Sequence, residues 1–363
     1  MTEAFYRLAL VYQKGMGNSL IKKMIRLFGS ATAIFEDKYL KRNNLHRFNN
    51  ATPFPALTST IEKDVERELK IIEKENINLC FFDELSYPQR LHYCKDSPYL
   101  LFCKGNKEFN KGNIVSLVGT RRSTSYGKEC VKKLISGFSE DITVVSGLAI
   151  GIDTASHSFA IEYGLNTVAV MGAGFGNIYP SINRKLMNKI IESGGTIVSE
   201  YSFYTKPEKV NFPKRNRIIA GMADAVVVVE TGIKGGSMIT ANIASSYNKD
   251  VFAVPGSVFE TTSDGCHELI RKNIAAIVTS GEELMDMMGW SNVPQTVIQK
   301  LFIEFTPEEE KIVKALQQKQ ILSLDDIFIV CSELTPSKVA SLLLELELKG
   351  VLECKPGRKY QLI

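Results

Sequence analysis

The stretch 212-FPKRNRIIAGMADAVVVVETGIKGGS-237 sets an aromatic ring and three cations directly ahead of an apolar run that ends in Glu230 and a glycine-rich turn. The run 225-AVVVVE-230 is continuous rather than alternating, the pattern of a strand covered on both faces. Lys214, Arg215 and Arg217 fall within four positions, so the two arginines point different ways in either an extended or a helical backbone. One can clamp a phosphate with its planar fork while the other serves a second phosphate or a buried carboxylate, Glu200 or Glu230. Phe212 offers a face for base stacking, and Asn216 can bond a base edge or fix the loop. Ligands of open α/β sheets gather at the carboxyl ends of the strands, so this cluster and the turn at Gly235, Gly236 and Ser237 are expected to face one cleft. A solvated charge run before a core strand is the plainer alternative.

The same grammar repeats upstream. The strand-like 114-IVSLVG-119 runs into 119-GTRRSTSYGKE-129 and a helical pattern from Cys130 to Phe138; 142-ITVVSG-147 leads to a helix through Tyr163, with Asp153 or Thr154 placed to cap it. Then 167-TVAVMG-172 precedes a helix near residues 183–192, 196-TIVSE-200 precedes the basic cluster, and 250-DVFAVPG-256 follows the glycine turn. Apolar strands alternating with helices predict a doubly wound, mainly parallel sheet. Gly119 permits a sharp turn, and the amides that follow it at a helix N-terminus suit an anion.

These segments, together with VSEYSF, GGSMITANIA, VFAVPG and GCHELI, occur in an order that resembles the DNA processing protein A family, also called Smf, over residues 111 to about 280. The lead-in 87-YPQRLHYCKDSPYLLFCKGN-106 is similar to the family as well. The resemblance implies a Rossmann-like core that binds single-stranded DNA and helps load the RecA recombinase. It makes Arg121, the arginine of the family's G-[ST]-R motif after Gly119 and Thr120, the first choice for a phosphate clamp. Gly147, Gly151 and Gly172 then either admit the nucleotide backbone or serve as obligatory turn residues. The family forms dimers near the end of its core and contacts RecA from that region, which makes His267, Leu269 and Ile270 interface candidates.

The net charge of +4 conceals a local excess: residues 1–110 carry 17 basic and 13 acidic side chains, residues 111–240 carry 15 and 10, and residues 241–304 carry 4 and 8. Polyanion binding follows local field, so the first two regions are favoured. Seven scattered cysteines without paired spacing fit reduced core thiols, and neither a metal site nor a cofactor is expected. No apolar run reaches the about 18 residues of a membrane span, and a cytoplasmic location is expected.

At the N-terminus, 6-YRLALVYQKGMGNSLIKKMIRLFGSATAIFE-36 reads as three short helices. The Gly-x-Gly turn, followed by Lys22, Lys23 and Arg26, suits either a plain helical bundle or a helix-hairpin-helix module that meets a DNA backbone; the family resemblance implies a sterile-alpha-motif-like domain. Residues 305–363 read as helix, helix, a helix starting at Thr335 and Pro336, then a hairpin, the order of a winged helix. Glu345 and Glu347 on its third helix favour packing or protein contact, while Lys355, Arg358 and Lys359 keep a DNA role open. The expected domains are 1–75, 76–288 and 305–363, with a linker at 289–304.

An enzyme is the alternative. Nucleotide phosphoribohydrolases on similar sheets carry a glutamate in PGGxGTxxE, yet after 235-GGSMITANIA-244 no acid follows until Asp250. GAGFG lies on the third strand, and its dinucleotide pattern is not completed at Asn177. No catalytic residue is assigned.

Overall fold

The computed structural model describes residues 1–36, 55–291, 305–318, 321–349, 351–355 and 359–362. These form two compact units, 1–291 and 292–363. The predicted linker lies largely outside the described residues, as do residues 37–54 and Arg358.

In the first unit the described strands make a nine-stranded sheet in the order β1-β2-β6-β5-β4-β3-β7-β8-β9. The strands are β1 (Asn78–Phe81), β2 (Leu100–Gly105), β3 (Ile114–Val118), β4 (Thr143–Ser146), β5 (Asn166–Met171), β6 (Thr196–Ser199), β7 (Ala225–Val228), β8 (Asp250–Ala253) and β9 (Ala276–Ile277). From β6 to β9 all pairs are parallel, with Val115 opposite Ala225 and Ala225 opposite Asp250. The edge pair β1 and β2 runs antiparallel, β2 lying against β6. The order of winding reverses between β3 and β7, which makes that gap the topological switch point.

The β-branched run earns its place in the centre: Val226 and Val228 pack into the core on one face, Ala225 and Val227 into the core on the other. Here the period of two meets apolar groups on both sides. The first face is covered by α8 (Asn211–Met222), α9 (Gly236–Ser246) and α10 (Asp264–Arg271), the second by α5 (Ser125–Ser136), α6 (Ile152–Glu162) and α11 (Gly281–Met287). The remaining helix of the alternating series, α7 (Arg184–Glu192), packs on β5, β6 and α6 and adds Met187 and Ile190 to the core cluster that the N-terminal helices share.

Those helices, α1 (Glu3–Val11), α2 (Asn18–Phe28), α3 (Ala31–Glu36) and α4 (Ser59–Lys74), share a core with Phe81, Phe102, Met171 and Ile197 of the sheet. Polar anchors fix them there. Arg7 donates to both oxygens of Asp83 at 2.7 Å. Glu68, only 2% exposed, accepts from the Phe203 amide at 2.7 Å and the Tyr12 hydroxyl at 3.1 Å. Asn18, the first residue of α2, donates to Glu200 at 2.9 Å and accepts from the Tyr99 amide at 3.0 Å. The start of α2 is thus docked on the core, which favours the bundle over the DNA-hairpin reading of the glycine turn.

The second unit has a winged-helix order: α12 (Pro307–Gln318), β10 (Leu322–Ser323), α13 (Leu324–Val330), α14 (Pro336–Leu348), then β11 (Leu352–Lys355) and β12 (Lys359–Leu362) in a sheet ordered β10-β12-β11. Ser323 and Asp326 close a capping box on α13. Glu309 is fully buried and paired with Lys349 at 2.6 Å.

Replacing Glu68 by Ala should orphan the Phe203 amide and the Tyr12 hydroxyl together, lowering stability by about 2–4 kcal/mol. A urea titration followed by tryptophan fluorescence or circular dichroism tests this; an unchanged midpoint would show that the N-terminal helices are not held through this carboxylate.

Candidate nucleic-acid interface

Glu230 follows β7 at the switch point and is 1% exposed. Its carboxylate accepts from the Thr124 amide at 3.0 Å and the Thr124 hydroxyl at 2.7 Å, while its carbonyl accepts from the Thr120 amide at 2.7 Å. An internal anion therefore sits at the N-terminus of α5, the place where a dinucleotide-binding sheet holds a pyrophosphate. Glu230 pairs with neither arginine of the basic cluster. Instead it braces the loop that carries Gly119, Thr120 and Arg121.

The basic cluster lies on a helix, α8, and the helical phase divides it. Phe212, Arg215, Asn216 and Ile219, spaced three or four apart, line a cleft of about 650 Å³ with Gly119, Thr120, Arg121, Tyr179, Lys209 and the turn Gly235–Gly236–Ser237. Arg217 does not line it: its guanidinium is held by both Glu200 oxygens at 2.5 Å. Lys214 is exposed on α8 outside the cleft lining.

Arg215 is 5% exposed and donates to the Val170 carbonyl and, at 3.2 Å, to Asn216 Oδ1. It forms the floor of the cleft rather than its rim. Burial lowers the proton affinity of its guanidinium, an effect that the nearby Asp153 opposes. Burial likewise raises the Asp153 carboxyl above the ordinary range, against the pull of Arg215 and the Ala149 amide. Asp153 caps no helix end; the N-cap of α6 is Gly151, without a side-chain bond, and Asp153 accepts from Ala149 at 3.2 Å inside the first turn. Thr154 donates to the Ala149 carbonyl at 2.8 Å instead. Gly147 is required here because a Cβ would lie 2.5 Å from Asp153 Oδ2 and 2.6 Å from Arg215 Nη1.

Phe212 is half-buried. Its Cδ1 would stand 2.9 Å from a Cβ on Gly172, and Arg121 lies over its ring at 5.3 Å. One face is thus already covered by a cation, an arrangement worth about 0.5–1 kcal/mol at exposed sites. Tyr179, tilted by 51° at 5.6 Å from the same ring, is 49% exposed and gives the cleft a second aromatic surface. Arg121 itself is exposed.

Across from it, Gly235 is the N-cap of α9, which has no side-chain cap. The hydroxyl of Ser237 is buried without a hydrogen-bond partner. The uncapped helix start, the unbonded hydroxyl and the exposed Arg121 line the same cleft, side-chain and backbone donors of the kind that suit an anion. Sequence reasoning missed Lys209, whose basic signal two residues before α8 is present in TKPEKVN.

Beneath the cleft, His157 is fully buried with Nδ1 2.8 Å from the Thr167 hydroxyl, which donates to the Val144 carbonyl at 2.9 Å. His157 Nδ1 therefore carries the proton, and Nε2 has no partner. Burial, helped by Arg215, pushes this histidine down to about 3.

Of the interface candidates on α10, Leu269 is fully buried in the sheet core, packed on the same helical stripe as Cys266. That corrects the expectation for Leu269, which has no surface to offer a partner. Ile270 is half-buried, and His267 Nε2 lies 3.1 Å from the Gly256 carbonyl.

Residues 78–289 match the family model described as DNA recombination-mediator protein A, and residues 303–358 match the DprA winged helix domain. The DNA processing protein DprA of Streptococcus pneumoniae is 43% identical over 199 residues, 55% of this chain and 70% of that protein. The X-ray structure of DprA from Streptococcus pneumoniae superposes with a TM-score of 0.62 at 31% identity, covering 79% of this chain and 98% of that one. DNA processing protein A from Helicobacter pylori, whose structure describes a single-stranded DNA binding mode, superposes at a TM-score of 0.52 and 29% identity over 58% of this chain and 95% of its own.

The histidine beneath the cleft predicts an acid sensitivity. Between about pH 6.5 and pH 3 the unfolded chain binds a proton at His157 that the folded chain refuses, so stability falls as pH falls through that window. From pH 7 to pH 5 this group alone should cost about 2 kcal/mol. His157→Gln should remove that share, seen as a smaller shift of the urea midpoint between the two pH values; an equal shift in both proteins would refute the assignment.

Proposed function

The chain belongs to the DNA recombination-mediator protein A family, and from that premise we propose that it holds single-stranded DNA in the switch-point cleft and hands it to the RecA recombinase. The observation that carries this reading is the exposed Arg121 set over Phe212, opposite the uncapped start of α9 with its unbonded Ser237 hydroxyl. Arg121 and the amides of Gly236 and Ser237 bind phosphates, with Lys209 and Lys214 adding charge from the rim. Tyr179 stacks a base directly. Phe212 stacks one when a phosphate draws Arg121 off its ring. Gly119 and Thr120 shape the loop, Asn216 meets a base edge, and Arg215 keeps the floor rigid and positive. Arg217 contributes by fixing α8 through Glu200.

Binding is favoured over nucleotide hydrolysis because Glu230, which stands beside the phosphate loops, spends both oxygens on Thr124. A homodimer formed through α10 uses Ile270 and His267, with Leu269 supporting them from the core. The same region contacts the recombinase.

Fluorescent oligothymidylate titrated at two salt concentrations should bind more tightly than duplex of equal length and weaken steeply with salt, because phosphate neutralisation releases counterions. Equal duplex affinity, or no salt dependence, would sink the reading. Arg121→Ala should flatten the salt slope by about 1. Phe212→Ala should cost about 1–3 kcal/mol. Because the two side chains touch, the double variant should lose less than the sum of the singles. In sedimentation velocity, Ile270→Glu should shift the protein from dimer to monomer; a dimer that persists would move the interface off α10.

A further inference from the structure

A second basic surface lies on the flank of α8 away from the cleft. From Ala4 to Phe35 the chain has five cations and no carboxylate. Arg7 is committed to Asp83, but the cations of α2 are turned to a different use. The Lys22 ammonium stands 3.7 Å above the Phe82 ring and donates at 2.7 Å to both the Ser97 carbonyl and hydroxyl. Arg26, one helical turn on, is exposed. The His92 ring is 4.3 Å from Phe82, and its neighbour Tyr93 is 85% exposed.

These cations feel one another. Burial first, then Arg217 and Arg26, bring Lys22 down to about 8, and burial with Lys22 and Arg26 lowers His92. Three cations, Lys22, Arg26 and Arg217, stand against two carboxylates, Glu200, which is held by Arg217 and Asn18, and Asp96, which accepts from the Tyr247 hydroxyl. What is left is a net positive surface with an unburied aromatic ring, the combination that binds a single strand through phosphates and stacking without sequence preference. Arg217 links it to the cleft, since it lies on the same helix as Phe212 and Arg215.

Building on the single-strand reading above, we propose that Lys22, Arg26, His92 and Tyr93 form a second contact for a strand that leaves the cleft across α8, with a phosphate against the exposed Arg26 in the field of the half-buried Lys22 and a base against Tyr93. The N-terminal helices then act as an extension of the DNA track. An acidic protein segment would use the cations but gain little from the exposed ring.

The test is an anisotropy titration of the full chain with oligothymidylates of about 6 and about 20 nucleotides, lengths below and above the reach of one binding groove. Arg26→Ala and Tyr93→Ala, both at exposed positions, should each weaken binding of the longer strand about three- to tenfold and leave the shorter one unchanged. Only Arg26→Ala should reduce the salt slope. Wild-type affinity of the double variant for the longer strand overturns the proposal and leaves the patch to a protein partner. Equal losses at both lengths overturn it too, because the effect would then arise in the cleft. If the wild-type protein binds neither length, the cleft reading falls first and this extension with it.

Discussion

A buried guanidinium organises the carboxyl edge of this sheet. Removing an arginine from water is costly unless its donors are met, and Arg215 is met from several directions by groups that have no other reason to converge. The Val170 carbonyl comes from the end of β5, Asn216 from its own helix, and Asp153 from the first turn of α6. Gly147 leaves the space they need. The end of β5, the first turn of α6 and α8 are thereby held in register. The exposed Arg121 stands on a neighbouring loop that Glu230 braces in the same way, through Thr120 and Thr124.

Much of this was legible before any coordinates. The β7 run, the strand-loop-helix alternation, the glycines at strand ends and the winged-helix order all follow from period and turn chemistry, and the observed elements lie within a few residues of those read from the chain. The N-terminal boundary of α5 was read late, because Ser125 and Tyr126 look like loop residues until Thr124 is recognised as their cap. The edge strands β1, β2 and β9 escaped notice. β9 spans only Ala276–Ile277, and β1 and β2 flank a polar stretch with no alternation to mark it.

The division of labour between Arg215 and Arg217 was hidden for a different reason. Two arginines two residues apart must diverge, but which one turns inward depends on the phase of α8 against the sheet. Reading 212, 215, 216 and 219 as one helical face would have chosen Arg215 for the cleft and freed Arg217 for Glu200. Nothing local reveals that the inward one is also buried, since that depends on Val170 and Asp153, far off in sequence. Leu269 failed as a surface candidate on the same principle. Its spacing from Cys266 marks an inward stripe, which the resemblance alone did not register.

The two ends of the large sheet are closed in unlike ways. On one side the antiparallel β1–β2 pair ends in a four-residue strand backed by the N-terminal helices; on the other, β9 offers two residues. Open strand edges invite pairing with foreign chains, and short or covered ones refuse it. Among the described residues the sheet has no free backbone ladder long enough to recruit an extended chain, so a lasting protein contact falls to side chains on helices and loops, where it can be specific and reversible.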